Sequence, residues 1–232
     1  MLMIQNQILS WYILWFYFPN CFLIDLNTSE TPDSIDIAWY SAKYISLNIV
    51  DIFENKIAKF AGAKYAVLID CCSHGMFLSL KYLQEIGELK KEQSITIPIR
   101  TYVSVPMQIK LAGNNFQFED IEWSGQYQLK GTRIWDAAVK WTKDMYTGGD
   151  TLQVVSFQIK KRIPIGRGGV VLTDDEKAAK WIKLASYDGR DLTTPYTDSQ
   201  HVHMFGYHMY MTPEDAARGI ILMDSVPEIN DD

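Results

Sequence analysis

Apolar and polar residues repeat along this chain with two periods, which predicts short strands alternating with helices. Isoleucine and phenylalanine recur at near-helical spacing over 49–60, with charged residues between them, so an amphipathic helix is predicted there. Gly62 is expected to end that helix. The apolar run at 65–69 then predicts a strand of the kind buried in a parallel sheet, and helical spacing resumes over 71–83.

The same alternation continues towards the C-terminus. Short apolar runs at 95–98, 153–157 and 169–173 predict further strands. The run T-D-D-E that begins at Thr173 is typical of a helix start. Strands that alternate with amphipathic helices predict an α/β fold, with a mostly parallel sheet flanked by helices on both sides.

Composition narrows the class of protein. The 232 residues are 47% hydrophobic, enough for a sizeable core, and the formal charge of −6 disfavours a nucleic-acid or anionic-membrane partner. Of three cysteines, Cys71 and Cys72 are adjacent, which does not suit a disulfide framework, and the C-x-x-C spacing of zinc sites is absent. A cytoplasmic protein without a bound metal is therefore predicted.

The N-terminal segment 1–35 is predicted to be a separate apolar arm. Its first 24 residues carry no charged side chain, and the apolar run 8–24 is interrupted by Pro19 and Asn20, so it is marginal for a membrane span. It also lacks the basic residues of a signal peptide. A partly buried arm, a dimer-packing segment and a start codon placed too far upstream remain alternatives, and membrane association is not expected.

Candidate chemistry is concentrated between two β-branched runs in the stretch 154–173. The loop between them carries two adjacent lysines, Lys160 and Lys161, and glycines that include the pair Gly168 and Gly169. Glycine lets the main chain approach a ligand or a neighbouring segment closely. On these residues alone, the stretch is either a displayed amine or a basic loop that ends in a glycine hairpin.

The spacing S-F-x-x-x-K followed by G-x-G-G, from Ser156 through Lys161, resembles the Schiff-base segment of the DegT/DnrJ/EryC1/StrS family. Members of this family are sugar aminotransferases that depend on pyridoxal 5′-phosphate (PLP). The resemblance implies that Lys161 is the catalytic lysine, which holds PLP as a Schiff base and then acts as a base. It also implies that Ser156 helps to hold the cofactor phosphate.

A second resemblance lies at the start of the predicted helix 71–83. The run F-A-G-A-K-Y-A-V followed by C-C-S is similar to the family pattern F-x-G-x-K-Y-A-V followed by S-G-T. Cys72 and Ser73 then stand where backbone amides and a hydroxyl hold the phosphate, as helix N-termini do. Cys72 places a side chain where the family has glycine, and His74 is either a solvated first-turn residue or a ligand.

Two further motifs suggest contacts to the cofactor ring. T-I-P-I-R-T-Y is similar to the family pattern in which an aromatic residue stacks on the ring, which makes Tyr102 the stacking candidate, with a core tyrosine as the alternative. In R-I-W-D-A-A-V, Asp136 matches the aspartate that pairs with the protonated ring nitrogen. An aspartate at a strand end is otherwise a cap or turn residue. Val139 replaces the family's glutamine or histidine.

The last motif, G-Y-H-M-Y-M, is similar to G-Y-N-Y-R-M, in which the asparagine reaches the phosphate of a partner subunit. His208 takes the place of that asparagine, and Tyr210 that of the arginine. The resemblance implies a homodimer in which His208 lies near the partner's phosphate.

Together the matches run from about residue 53 to residue 223 in family order. They imply that 36–232 is a PLP-binding large domain of fold-type I aminotransferases and that the C-terminal small domain is absent. The implied function is transfer of an amino group to a keto sugar, which in the family is most often linked to a nucleotide. Dehydrating members replace the lysine, so Lys161 favours transamination. The departures at Cys72, Arg167 and His208 favour an alternative, a catalytically inactive binding or assembly protein.

Overall fold

A computed structural model describes residues 48–191 and 202–229, and the predicted arm 1–35 lies outside them. Within the described ranges, a first helix, α1, covers 48–61, and Gly62 ends it with a φ of 76°. The strands are β1 (Tyr65–Ile69), β2 (Ser94–Pro98), β3 (Asn115–Glu119), β4 (Tyr127–Gln128), β5 (Ile134–Asp136), β6 (Leu152–Ser156) and β7 (Gly169–Thr173). The remaining helices are α2 (Cys72–Glu85), α3 (Ser104–Leu111), α4 (Glu176–Ser186) and α5 (Pro213–Met223).

Five strands form the main sheet in the order β1, β7, β6, β5, β4. Strands β5 and β6 are parallel, whereas β1–β7, β6–β7 and β4–β5 pair antiparallel. Strands β2 and β3 form a parallel pair. Thr96 of β2 exchanges two backbone hydrogen bonds, of 3.0 and 3.3 Å, with Lys130. The predicted α/β class is confirmed, but the sheet is mixed and not dominated by parallel pairs.

Burial on both faces of the sheet explains why its strands are apolar throughout. In β6, Val154 joins the core under α2 and α4, while its neighbour Val155 points into a second core with Phe53 and Ile57 of α1. Helices therefore cover both faces, in three layers. The apolar runs predicted this burial correctly, but burial does not fix strand direction.

An ion pair between a buried carboxylate and a half-buried lysine lies at the outer edge of β1. Glu54 of α1 accepts a hydrogen bond of 3.0 Å from the Leu68 amide, and its other oxygen lies 2.5 Å from Lys183 Nζ of α4. Burial raises the pKa of Glu54, while the charge of Lys183 opposes that rise. The pair thus joins one helix from each face of the sheet across its edge strand.

No helix in 48–191 or 202–229 combines the length and apolar character that crossing a bilayer requires.

Candidate cofactor site

Asp136 is a buried carboxylate at the end of β5. Tyr127 donates a hydrogen bond of 2.6 Å to one carboxylate oxygen, and the Ala138 amide donates one of 3.0 Å to the other. Burial raises the pKa of Asp136, while these two hydrogen bonds and the positive charge of Lys161 act in the opposite direction. Two hydrogen-bond donors therefore fix the position of the carboxylate. Its buried environment disfavours the negative charge unless a cation lies nearby.

Tyr127 is a site residue that the sequence motifs missed. It pairs with Asp136 in the β4–β5 ladder, its hydroxyl also contacts the Thr101 hydroxyl, and its ring lies 4.8 Å from that of Trp123. Burial and the neighbouring Asp136 raise its pKa, so the phenol stays neutral and can donate. Strand β4 has only two residues, which is too short to give a periodic signal, so sequence reasoning had no pattern to detect.

Lys161 lies in the loop between β6 and β7. Its amide donates a hydrogen bond of 2.8 Å to the Gln158 carbonyl, which closes a turn. Its side chain is half-buried, and its charge acts on both Asp136 and Cys72. Lys160, by contrast, is exposed. The turn thus distinguishes the two adjacent lysines and directs the charge of Lys161 towards the buried carboxylate.

Helix α2 begins beside the same residues, with its N-terminus uncapped. Cys71 is the N-cap residue, in extended conformation, and its side chain makes no capping hydrogen bond. Cys72 is half-buried; burial and then the Asp136 charge raise the pKa of its thiol, and Lys161 acts in the opposite direction. Ser73 donates a hydrogen bond of 2.8 Å to Ser104 at the start of α3. Unpaired amides at such a helix start favour an anion.

The lysine loop and the start of α2 meet at Gly169. A Cβ placed on Gly169 would lie 2.6 Å from the Cys72 nitrogen, closer than real Cβ atoms approach other atoms. Ser156 pairs with Gly169 across β6 and β7, is buried, and accepts a hydrogen bond of 3.3 Å from the Gln158 amide. The structure therefore brings together four of the predicted site residues, which are Cys72, Asp136, Ser156 and Lys161.

Tyr102 and His208 are placed differently. Tyr102 is 73% exposed, which excludes the alternative of a core tyrosine; it stands in the chain between Thr101, which contacts Tyr127, and Ser104, which contacts Ser73. The side chain of His208 is 70% exposed, and its Nδ1 lies 3.1 Å from an oxygen of Asp188. Within the described ranges, neither residue forms a hydrogen bond or an ion pair with Asp136 or Lys161. Their predicted roles remain predictions.

A second charged cluster flanks the start of α2. Asp70 lies 2.6 Å from His74 Nδ1 and 2.5 Å from a nitrogen of Arg167, whose Nε also donates to the Asp70 carbonyl at 3.1 Å. The hydrogen bond to Asp70, followed by the interaction with Cys71, raises the pKa of His74 to about 10. Arg167, which departs from the family pattern, thus ties the lysine loop to the end of β1.

These residues fit PLP in three respects. The uncapped start of α2 suits its phosphate, the buried Asp136 carboxylate suits a protonated ring nitrogen, and Lys161 supplies an amine beside both. The Cys72 side chain departs from this fit because it stands at the helix start itself.

Comparisons with known proteins agree with this geometry. A sequence model of the DegT/DnrJ/EryC1/StrS aminotransferase family matches residues 28–145 and 137–232. Among curated proteins no significant match was found.

Solved structures show the same fold at low sequence identity. The sugar aminotransferase CalS13 from Micromonospora echinospora is 15% identical, with a TM-score of 0.62 over 76% of this chain and 60% of that one. PseC from Helicobacter pylori, an aminotransferase of pseudoaminic acid biosynthesis, is 18% identical, with a TM-score of 0.61 over 80% of this chain and 62% of that one. A GDP-4-keto-6-deoxymannose-3-dehydratase with GDP-perosamine bound is 18% identical, with a TM-score of 0.62 over 81% and 65% of the two chains.

The chain thus spans about three fifths of the length of these first two relatives. The family match covers well over half of the chain and indicates PLP as the cofactor. The chain belongs to the DegT/DnrJ/EryC1/StrS aminotransferase family.

Proposed function

We propose that this chain binds PLP and transfers an amino group from a donor to a nucleotide-linked keto sugar. The observation that carries the proposal is the buried Asp136 carboxylate, which lies within the electrostatic reach of the half-buried Lys161 beside an uncapped helix start. A buried carboxylate with a raised pKa, next to a specific charged partner, is characteristic of functional sites.

Asp136 and Lys161 would do the chemistry at opposite sides of the site. Bound PLP supplies an electron sink for the carbon that loses its proton. Asp136 would keep the proton on the ring nitrogen, because a cation there relieves the cost of burying the carboxylate. Tyr127 and Ala138 would hold that carboxylate in one orientation. The Lys161 amine would take the proton from the substrate carbon and deliver it to the carbon on the other side of the amine nitrogen.

The phosphate would be held at the start of α2. Its first amides carry no side-chain cap, and the hydroxyl of Ser73 lies in the first turn. Ser156 would add a second hydroxyl, and Gly169 would allow the lysine loop to approach this helix closely. Tyr102, exposed between Thr101 and Ser104, would stack on the ring once it is bound.

The substrate class is proposed from the family and from Lys161. CalS13 is a sugar aminotransferase and PseC acts in pseudoaminic acid biosynthesis, but a dehydratase shares the fold, so the fold alone does not choose the reaction. The family resemblance associates a retained lysine with transamination. We therefore propose a keto sugar as the acceptor of the amino group.

We further propose that the site is completed in a homodimer, with His208 near the phosphate of a second copy. The exposed His208 side chain can donate a hydrogen bond as an amide does, and Asp188 beside it would orient the ring. Sedimentation at micromolar concentration tests this proposal. A monomer of 26.7 kDa, with and without PLP, would contradict it.

One observation favours a second candidate function, a catalytically inactive binding or assembly protein of the same fold. Cys72 places a side chain at the helix start where close approach of a phosphate is needed, and burial keeps its thiol neutral. PLP binding would then be weak or absent.

The two functions are separated by a single-turnover measurement. The purified full chain is incubated with PLP and a panel of amino acids, and the release of keto acid is counted per chain. An enzyme releases about one keto acid per chain without an acceptor and more when a nucleotide-linked keto sugar is added. Lys161→Ala should abolish the release, while the matched variant Lys160→Ala should retain it. Absence of keto acid release, with PLP binding weak or absent, would support the inactive protein.

A further inference from the structure

Three potential metal ligands of different chemistry meet where β1 runs into α2. Asp70 directly follows β1, Cys71 is the N-cap residue of α2, and His74 lies in the first turn of that helix. One carboxylate oxygen, the thiol sulfur and one ring nitrogen all lie within 4.8 Å of one another, and all three residues are half-buried. Sequence analysis predicted no metal because the C-x-x-C spacing is absent, and the function proposed above uses none of these side chains.

The local backbone explains why the three groups converge. Cys71 and His74 are three residues apart at a helix start, so their side chains lie on the same face. Asp70 lies 2.6 Å from His74 through Oδ1, while Arg167 binds its other oxygen, Oδ2, at 2.5 Å. A backbone bridge between Cys71 and Gly168 fixes the same loop. Arg167 thus orients the carboxylate from outside the cluster, as partners of metal-ligating groups commonly do.

The donor set selects the kind of metal. Sulfur, imidazole nitrogen and carboxylate oxygen are the ligands that Zn²⁺ takes, whereas Mg²⁺ and Ca²⁺ require oxygen donors almost exclusively. A thiolate among the ligands favours a softer cation.

We propose that Asp70, Cys71 and His74 form a binding site for Zn²⁺, with three protein ligands and a fourth position open to water. The other thiol at this helix start, Cys72, is not among the donor atoms that lie within 4.8 Å of one another. Zn²⁺ there would neighbour the predicted phosphate segment without sharing a side chain with Asp136 or Lys161.

Cobalt(II) tests the site, because it takes the place of zinc and shows a charge-transfer absorbance when a thiolate binds it. The full chain, without PLP and without a histidine tag, is titrated with Co²⁺ in a Cys21→Ser background, since Cys21 lies outside the described residues. The proposal predicts one Co²⁺ per chain with the thiolate band, displaced by Zn²⁺ and not by excess Mg²⁺. No band at stoichiometric cobalt would overturn it.

Variants assign the ligands. Cys71→Ser should remove the band, His74→Asn should weaken Co²⁺ binding at least tenfold, and the matched control Cys72→Ser should leave both unchanged. Circular dichroism confirms that each variant is folded, and His74→Asn provides a second test if Cys71→Ser fails to fold. A band that persists in Cys71→Ser, or disappears in Cys72→Ser, would contradict the assignment. Because PLP is absent throughout, this result is independent of the proposed enzyme activity.

Discussion

Gly169→Ala should damage the predicted phosphate site by displacing the start of α2. Gly169 is in ordinary strand conformation, so the effect of a methyl group there is one of contact alone. Its Cβ would lie 2.6 Å from Cys72 N, 2.8 Å from Cys72 Cα and 2.9 Å from the Val155 carbonyl oxygen, and all three are backbone atoms. A rotamer change cannot relieve the overlap, so the backbone must move.

The size of the effect follows from these distances. Ordinary contacts of a Cβ begin at 3.4 Å, so relief of the closest contact requires a shift of 0.8 Å between β7 and α2. Overpacking of this kind costs about 1–3 kcal/mol, and alanine returns about 0.5–1 kcal/mol of chain entropy. We expect a net loss of about 1 kcal/mol in the free energy of unfolding. The displaced amides should weaken PLP binding at least tenfold, since one hydrogen bond to a charged group contributes about 1.5–3 kcal/mol.

Urea unfolding and a PLP titration measure the two quantities separately. The matched control is Gly87→Ala, just beyond the opposite end of α2, where a Cβ would meet nothing within 4 Å. Gly87 has a φ of 77°, so alanine should cost about 1 kcal/mol of stability there and leave PLP affinity unchanged. If Gly169→Ala binds PLP as the wild type does and unfolds at the same urea concentration, the close approach of β7 to α2 is not part of the site.

Two further predictions concern buried charges. Lys183→Met should lower the free energy of unfolding by about 3 kcal/mol, because it leaves the Glu54 carboxylate buried without its cation, whereas Lys180→Met on the exposed face of α4 should change it by less than about 0.5 kcal/mol in urea unfolding. Asp136→Asn should abolish PLP binding yet stabilise the PLP-free protein at neutral pH. Burial raises the Asp136 pKa, so its contribution to stability is present below the unfolded value of 3.8 and is lost as pH rises through the folded value.

Each of these predictions has a contrary outcome. Equal losses in Lys183→Met and Lys180→Met would show that the Glu54 pair is not effectively buried. For Asp136→Asn, urea midpoints measured over a pH series should converge with the wild type below about pH 4 and separate above it. A variant less stable than the wild type at neutral pH would show that the carboxylate is favourably paired even without PLP.

Local patterns predicted the elements of the fold well, since burial and turn chemistry act locally. The strands at 65–69 and 169–173 were predicted with the bounds that the structure shows, and Gly62 ends α1 as expected. Strand direction was not predictable, because an apolar run indicates only that a strand is buried on both faces. It does not indicate whether the neighbouring strand is parallel or antiparallel. Strand β1 therefore resembled a parallel strand although it pairs antiparallel with β7.

The candidate site was predictable only where a motif carries its residues. Asp136 and Lys161 have recognisable spacing along the chain, whereas Tyr127 contacts Asp136 across a two-residue strand that leaves no pattern. The contact of Gly169 with Cys72 likewise depends on how a loop meets a helix far away in sequence. Motifs thus located the chemical groups, and the supporting contacts required the structure.

Lys161 is the residue to which we propose that PLP becomes attached. The full chain is incubated with PLP, reduced with borohydride and digested, and the modified lysine is identified by mass spectrometry. One stable adduct is expected, on Lys161, which persists in Lys160→Ala and is absent from Lys161→Ala. An adduct on the exposed Lys160, or adducts distributed over surface lysines, would contradict it.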